Sequence, residues 1–491
     1  MALIALSLLL APAAWADPWL PPGDLGLRHD IELLADAGII RGPVTTWPMS
    51  WPDIARDVLA AGDSTHDESS IDDALARLRR AAREAQGTGP GGLELRVGGS
   101  TDAPEWRAFS DAPREQGEAS LAASWMSERF AARVQVTGVA SAQDNQTARF
   151  DGSYVGVNVG NFMISAGAME RWWGPGWDGS LILGTNARPM PSLTIERNYT
   201  DPFKTRWLRW IGPWRASIAV GQAESATSAR DGQLAVLPDV KFLAARVNFR
   251  PRSWMEFALT RSAQFCGKGR DCSLSTVKDL LLGRDNRSAS LNAAQEPGNQ
   301  MAGYDVRLRS PWKRVPVALY GQLIGEDEAH GLPSKFLGLG GVEVWGSMRW
   351  GSWRVRAEAV DTTCIFTRQK PAFDCAYRNS LFYQGYTFRG RVIGHGLDND
   401  SRMASLAAIL VRPSGESWTL TLRNAKINRS GFVPDITHAL SAGPSKLRNL
   451  DVQYNRDFKL GALRVGLALD NYSGARTDSS ARGFVEWRQR F

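Results

Sequence analysis

Beyond its first sixteen residues, the chain has no apolar run approaching the roughly 20 residues that a membrane-spanning helix needs. That absence excludes a helical membrane protein, and an integral membrane protein of this kind would have to be a closed barrel. A mean hydropathy of −0.27 is compatible with one, because lumen and loops dilute a lipid-facing surface. Histidine is also scarce. His29, His66, His330, His395 and His438 are scattered, and none stands at ligand spacing from a cysteine, so neither a metal nor a cofactor is expected. The four cysteines fall into two local pairs, Cys266 with Cys272 and Cys364 with Cys375, which in an exported chain read as loop disulfides. Lysine is rare too: ten of the 58 basic residues, against 48 arginines, with a net charge of +7. A GC-rich coding sequence would account for part of that bias. Guanidinium is nevertheless the better group for bidentate binding of carboxylate or phosphate, so a basic exported protein fits an acidic polymer. No nucleophile with a base and an orienting group forms a constellation, and an enzyme is not expected.

Met1 to Ala16 has an apolar core and ends Ala14-Trp15-Ala16, which fits a cleaved signal peptide, although the usual positive start is missing. Residues 17–91 then read as a small helical region. Asp24 to Ile40 carries Leu27, Ile31, Leu33, Leu34 and Ala37 at helical spacing behind a capping Asp24. Ser50-Trp51-Pro52-Asp53 opens a second helix, and Ser69 to Ala85 forms a third. Three short helices make too small a core to stand alone, so this head is expected to dock on the remainder of the chain. Gly87 to Gly92 reads as a linker.

From residue 92 to 491 the period becomes two. Candidate strands begin near residues 92, 116, 129, 151, 162, 190, 214, 239, 254, 302, 316, 338, 353, 402, 417, 447, 462 and 482, an even set of 18. Their connections alternate between mostly tight turns and long loops, with Thr200 to Pro213 a long exception in the tight set, and both cysteine pairs fall in the long set. Short periplasmic turns and long outer loops are the rule for outer-membrane barrels. The last strand, Gly483 to Phe491, puts Val485, Trp487, Gln489 and Phe491 on one face and Glu486, Arg488 and Arg490 on the other. Such alternation suits a soluble sandwich as well, but a terminal aromatic behind a secretory leader suits a closing barrel strand. The expected fold is an all-β transmembrane barrel of 18 antiparallel strands with a small periplasmic α-helical bundle at its N-terminus. Trp125, Trp254, Trp312, Trp345, Trp350, Trp353, Trp418 and Trp487 lie near strand ends, as interfacial girdles or as a saccharide platform.

The segment Arg171-Trp172-Trp173-Gly174-Pro175-Gly176, followed by Asn186-Ala187-Arg188-Pro189-Met190-Pro191, closely resembles the capsule-assembly Wzi family of outer-membrane proteins. Asp36 to Pro43 and Thr45-Thr46-Trp47-Pro48 resemble the N-terminal region of the same family. The resemblance implies an 18-strand barrel with a periplasmic helical bundle, and a lectin-like role in attaching or organising exopolysaccharide. The long loops have their own sequence, and loops decide which polymer is bound.

Read from the residues alone, Trp172, Trp173 and Trp177 beside Arg171 are either a packed plug in the lumen or a sugar-stacking shelf. Arg368, Lys370, Tyr377, Arg378, Tyr383, Tyr386, Arg389 and Arg391 are the further candidates, combining charge for a uronate with rings for stacking. The plainer alternative is a solvated or lipopolysaccharide-facing loop. The expected function is polysaccharide binding at the bacterial outer membrane, with loops outside and helices in the periplasm; the competing one is a carbohydrate-selective porin or export channel. Expected partners are an acidic capsular or extracellular polysaccharide, outer-membrane lipid and lipopolysaccharide. The assembly machinery is expected to read the C-terminal strand, the protein to be a monomer, and nucleic acid to be no partner.

Overall fold

The period-two segments close into one antiparallel barrel. The computed structural model describes residues 17–491 except 63–68, 231–232, 268–271, 283–297, 313, 330–331, 380–381, 383 and 432–437. The expected leader therefore lies outside the described residues. The strands are β1 (Gly89–Ser100), β2 (Gly117–Met126), β3 (Phe130–Ala140), β4 (Tyr154–Val159, with Ala148–Arg149 on the same partner), β5 (Phe162–Gly167) and β6 (Ser192–Arg197). Next come β7 (Trp214–Gln222), β8 (Val240–Arg252), β9 (Met255–Cys266), β10 (Gly298–Arg309), β11 (Val317–Ala329) and β12 (Leu332–Met348). The last are β13 (Gly351–Asp361), β14 (Arg402–Val411), β15 (Ser417–Ile427), β16 (Ser445–Phe458), β17 (Gly461–Gly474) and β18 (Asp478–Arg490). β18 closes on β1 from Phe484 opposite Ser100 to Arg490 opposite Glu94.

Each strand's two faces meet different surroundings. On β15, Trp418, Leu420 and Leu422 are exposed, while Ser417, Thr419 and Thr421 are buried. Val134, Leu193, Leu259, Leu319, Leu406 and Leu467 are likewise exposed on other strands. A belt of bare aliphatic side chains outside and polar ones inside is the pattern of a lipid-embedded barrel and the reverse of a soluble sandwich. Tight connections such as 160–161, 349–350 and 459–460 gather at one end, which also carries both ends of the barrel sheet. The long connections 168–191, 267–297, 362–401 and 428–444 gather at the other. Trp125, Trp254, Trp350 and Trp418 ring the turn end as exposed side chains. Trp345 departs from the expected girdle: it points inward, 6% exposed, under the Arg354 guanidinium at 4.8 Å.

Boundaries shift where the pattern is silent. β1 begins inside the expected glycine linker, pairing Gly89 and Pro90 with Met126 and Trp125, and a register break before Leu93 absorbs the extra residues. β12 begins at Leu332 because its pairing with β11 carries Pro333 and Ser334, which show no alternation of their own. The loop after β9 contains an unanticipated short helix, Leu274–Leu282.

The head folds as α1 (Leu25–Asp36), α2 (Trp51–Ala60) and α3 (Ser69–Ala85). Asp24 caps α1 by accepting from the Leu27 amide at 2.9 Å, and Ser50 caps α2. The head does not merely dock: α1 enters the turn-end mouth of the barrel and is buried along nearly its whole length. Its charged face makes that possible. Arg307 of β10 grips Asp36 with bonds of 2.7 and 2.8 Å and reaches Glu343 of β12 at 2.6 Å. Arg354 of β13 meets Glu343 at 2.8 Å, Glu32 at 3.4 Å and Asp36 at 3.5 Å, while Arg28 meets Glu32 at 2.8 Å. Burial and the Arg354 charge hold the His29 imidazole well below its ordinary range, so it stays neutral. Arg28, Arg307 and Arg354 thus balance Glu32, Asp36 and Glu343.

Removing one partner from such a cluster strands an uncompensated buried charge, at a cost of about 3–5 kcal/mol. Arg307→Ala is expected to loosen α1 while the barrel still forms. Limited proteolysis of the detergent-folded protein should then cut within residues 17–88 faster than in the parent, whereas equal rates would remove the cluster's role in docking α1.

Candidate functional site

The connection between β5 and β6 runs down into the lumen and turns at Trp172 to Trp177. Gly174 has φ +151°, and a Cβ on Gly176 would collide with the Gly179 carbonyl, so the turn requires glycine at both positions. Its backbone donors and acceptors are met by side chains of the wall. Glu358 of β13 accepts from the amides of Trp177 (2.9 Å) and Asp178 (3.1 Å) and from the Tyr320 hydroxyl (2.8 Å). Gln322 of β11 accepts from Leu181 N–H at 2.8 Å and donates to Trp173 O at 2.9 Å. Arg28 of α1 donates to the carbonyls of Pro175 and Gly176 and lies over Trp177 and Phe109, at 4.1 and 4.5 Å. Trp172 and Trp173 pair antiparallel with Thr46 and Trp47 of the head.

Trp172, Trp173 and Trp177 are each 1% exposed. They form a plug, and a sugar-stacking shelf at this turn is corrected on that ground, since the rings have no free face. Arg171 belongs to the same packing: it is buried and donates to Thr194 Oγ1 at 2.6 Å and Met169 O at 3.2 Å.

The 362–401 loop seals the plug from the other end. Tyr377 donates to Leu181 O and Tyr386 to Ile182 O, both at 2.8 Å, with the two rings stacked 6.0 Å apart and fully buried. Their expected role as exposed stacking rings is therefore corrected as well. His395 packs on Gly179, and burial drops its imidazole to about 4, leaving it neutral. Both disulfides form, Cys266–Cys272 and Cys364–Cys375, the second within this loop.

The basic candidates divide. Arg368 and Lys370 are exposed at the loop tip between the second cysteine pair. Arg378 is partly buried, 3.8 Å from Asp374, and Arg389 is partly buried over Phe388. Arg391 is a bracket, donating at 2.6 Å to Pro104 O and to Gln143 Oε1 and so tying three loops together. Burial and the Arg114 charge lower it to about 10. Tyr383 lies outside the described residues.

A second feature had no sequence signal beyond a single loop tryptophan. Residues 101–116 fold over the loop end, pinned by Glu105, which accepts from Tyr472 Oη at 2.7 Å and pairs with Arg476 at 2.6 Å. Beneath this roof is a cleft of about 70 Å³ lined by Trp106, Arg107, Asn449, Asp451 and Arg482, among others. Trp106 is only partly buried, with Arg423 4.8 Å over its ring. Arg107 is buried and its Nε has no hydrogen-bond partner among the described residues. The cleft suits a carboxylate or a few hydroxyls beside an aromatic face; it does not hold a whole sugar ring.

Comparison with known proteins agrees with this architecture. The family model described as capsule assembly protein Wzi matches residues 86–478. A Klebsiella pneumoniae protein, an uncharacterized 55.8 kDa protein in the cps region, is 31% identical over 415 residues, covering 82% of this chain and 77% of that one. The solved Escherichia coli structure titled Wzi, an outer membrane protein involved in group 1 capsule assembly and a carbohydrate-binding β-barrel, superposes with a TM-score of 0.81 at 27% identity. That match spans 97% of this chain and 100% of the other.

The disulfide at the loop tip generates a direct expectation. Its 11-residue spacing limits stabilisation to about 3 kcal/mol, spent on the loop and not on the barrel. Cys364→Ser with Cys375→Ser should speed trypsin cleavage after Arg368 without altering barrel folding. Unchanged cleavage would show that the tip is ordered by other contacts.

Proposed function

Because this chain belongs to the capsule assembly protein Wzi family of outer-membrane barrels, we propose that it binds an acidic capsular or extracellular polysaccharide at the loop end of its barrel and helps hold that polymer at the cell surface, without catalysis. The observation that carries this reading is the sealed lumen. α1 fills the turn-end mouth, the Trp172–Trp177 turn fills the middle, and the 362–401 loop covers the far side. A long polymer is thereby kept out of the lumen and left to the two end surfaces, of which the loop end is the one this orientation turns out of the cell. That surface offers Arg368, Lys370, Arg378 and Arg389, and the Trp106 cleft lies beneath its 101–116 segment. Guanidinium and ammonium groups match uronate charge, and a half-open indole matches a sugar face. In this orientation the loops are extracellular and the helices periplasmic, which the parity of short and long connections supports.

Each exposed ion pair is worth about 0–1 kcal/mol, so binding must be spread over several residues. Replacing Arg368, Lys370, Arg378 and Arg389 together with alanine should weaken binding of the purified protein to the host's own acidic exopolysaccharide. The parent's binding should also fall as salt shortens the Debye length from about 10 Å at 0.1 M to about 3 Å at 1 M. Binding indifferent to both changes would remove the electrostatic mechanism. Trp106→Ala would then test the aromatic cleft alone.

The porin reading predicts something else. A lumen packed with helix and turn should give negligible conductance in a planar bilayer; steady open-channel currents would restore the channel hypothesis. Orientation is read separately, in intact cells. A cysteine at Ser414, in the tight turn after β14, should resist an impermeant label, and one at Thr477, between β17 and β18, should react.

A further inference from the structure

The lipid-facing side of β14, β15 and β16 carries an unexpected row of cations. Arg402 stands directly opposite Lys426, and Lys426 directly opposite Lys446. One pleat step toward the turn end, Arg448 stands between Asn424 and Asn471. Directly opposed residues on neighbouring strands point to the same face, and like charges placed so are destabilising. All four side chains are exposed on the outer wall, away from the polar lumen. Asp361 offsets part of the charge, pairing with Arg402 at 2.6 Å and Arg429 at 3.3 Å. Lys426, Lys446 and Arg448 make no hydrogen bond or ion pair among the described residues.

Below the cations the same face turns apolar within one or two pleat steps, each about 7 Å. Leu422 follows Asn424, Leu450 follows Arg448, and Leu406 and Leu469 flank them. These leucines help to line an open groove of about 870 Å³ on the sheet surface. The result is an amphiphilic site: an aliphatic trough for acyl chains, topped by clustered cations at the loop-end edge of the apolar belt. A second copy of this chain would bring like charge to like charge, and a neutral lipid would leave the cations unbalanced.

We propose that this face binds one phosphorylated, acylated glycolipid of the leaflet at the loop end, with its phosphate on Lys426, Lys446 and Arg448 and an acyl chain in the groove. The proposal rests on the orientation with loops outside the cell, which places that edge in the outer leaflet. Phosphate accepts charge-assisted bonds from several cations at once, so the ligand cancels the repulsion that the bare row carries. Bound there, the lipid would anchor the barrel wall directly beside the polymer-binding loops.

Native mass spectrometry of the detergent-folded full chain tests this with three probes: bisphosphorylated lipid A, its dephosphorylated form, and inorganic phosphate. The parent should retain the bisphosphorylated lipid, and the combined Lys426→Gln, Lys446→Gln, Arg448→Gln variant should bind it roughly 100-fold more weakly, at about a factor of five per cation. Dephosphorylated lipid should bind parent and variant equally weakly, and inorganic phosphate should not compete at millimolar concentration. A loop-tip variant, Arg368→Gln with Lys370→Gln, should bind the lipid as the parent does, and an unchanged heat-modifiable gel shift should show every variant folded. Equal retention by parent and triple variant, equal loss in the loop-tip variant, or displacement by free phosphate would each overturn the site. The measurement reads the site in either membrane orientation, so reversed labelling at Ser414 and Thr477 would remove the outer-leaflet assignment of the lipid and leave the cation site to the binding result.

Discussion

Backbone inside a barrel must find hydrogen-bond partners without bulk water, and that constraint organises this molecule. The N-terminal head and the β5–β6 connection bring irregular chain into the lumen. The wall answers with long polar side chains at fixed strand positions. Glu256 accepts from the Val44 and Thr45 amides at 2.9 Å, Glu358 takes Trp177 and Asp178, and Arg250 donates to the Ile40 and Ala35 carbonyls. Each is a charged or amide group that would be costly alone in an interior and is repaid by several bonds. The plug and the barrel are therefore one folding problem. The helices cannot be removed without orphaning the wall, and the wall lacks partners without the plug.

The arginine bias follows from the same constraint. Arg28 shows why lysine would not serve, since its fork meets two carbonyls and a carboxylate while its plane lies on two aromatic rings. Much of the basic charge is thus spent inside, as partner to buried carboxylates and carbonyls. What remains for ligands is smaller and more local: the loop-tip residues, the Trp106 cleft, and the row on the outer wall of β14 to β16. Two of the ten lysines stand directly opposite each other in that row.

Much of the architecture was legible in the sequence because it rests on short-range patterns. Period-two alternation locates the strands, the lengths of connections separate the two ends, and Asp24, Ser50 and Pro52 mark helix starts. The Trp172–Pro191 segment identified the family, as the match over residues 86–478 shows. The site was far less legible. Tyr377 and Tyr386 look like surface rings in a basic loop, yet their hydroxyls reach carbonyls about 200 residues earlier in the chain. Trp345 sits near a strand end like its girdle counterparts, and one step of parity turns it inward. α1 shows an apolar stripe that any docked helix would show; its insertion depends on Arg307 and Arg354, which no local pattern ties to Asp36 and Glu32. Arg391 reads as a ligand cation and is a bracket between loops. Trp345 apart, the deciding partner is distant in sequence in each case, and periodicity carries no information about it.

On the proposed reading, a barrel sealed by its own chain meets polymer at the loop end alone. Hydrogen–deuterium exchange with and without the host's acidic exopolysaccharide tests it most directly. The amides of Trp172 to Gly174 should exchange slowly in the free protein and not change on binding, while protection rises across residues 101–116 and 362–401. Fast exchange at Trp172 to Gly174, or polymer-induced protection within the lumen or the three helices, would contradict it.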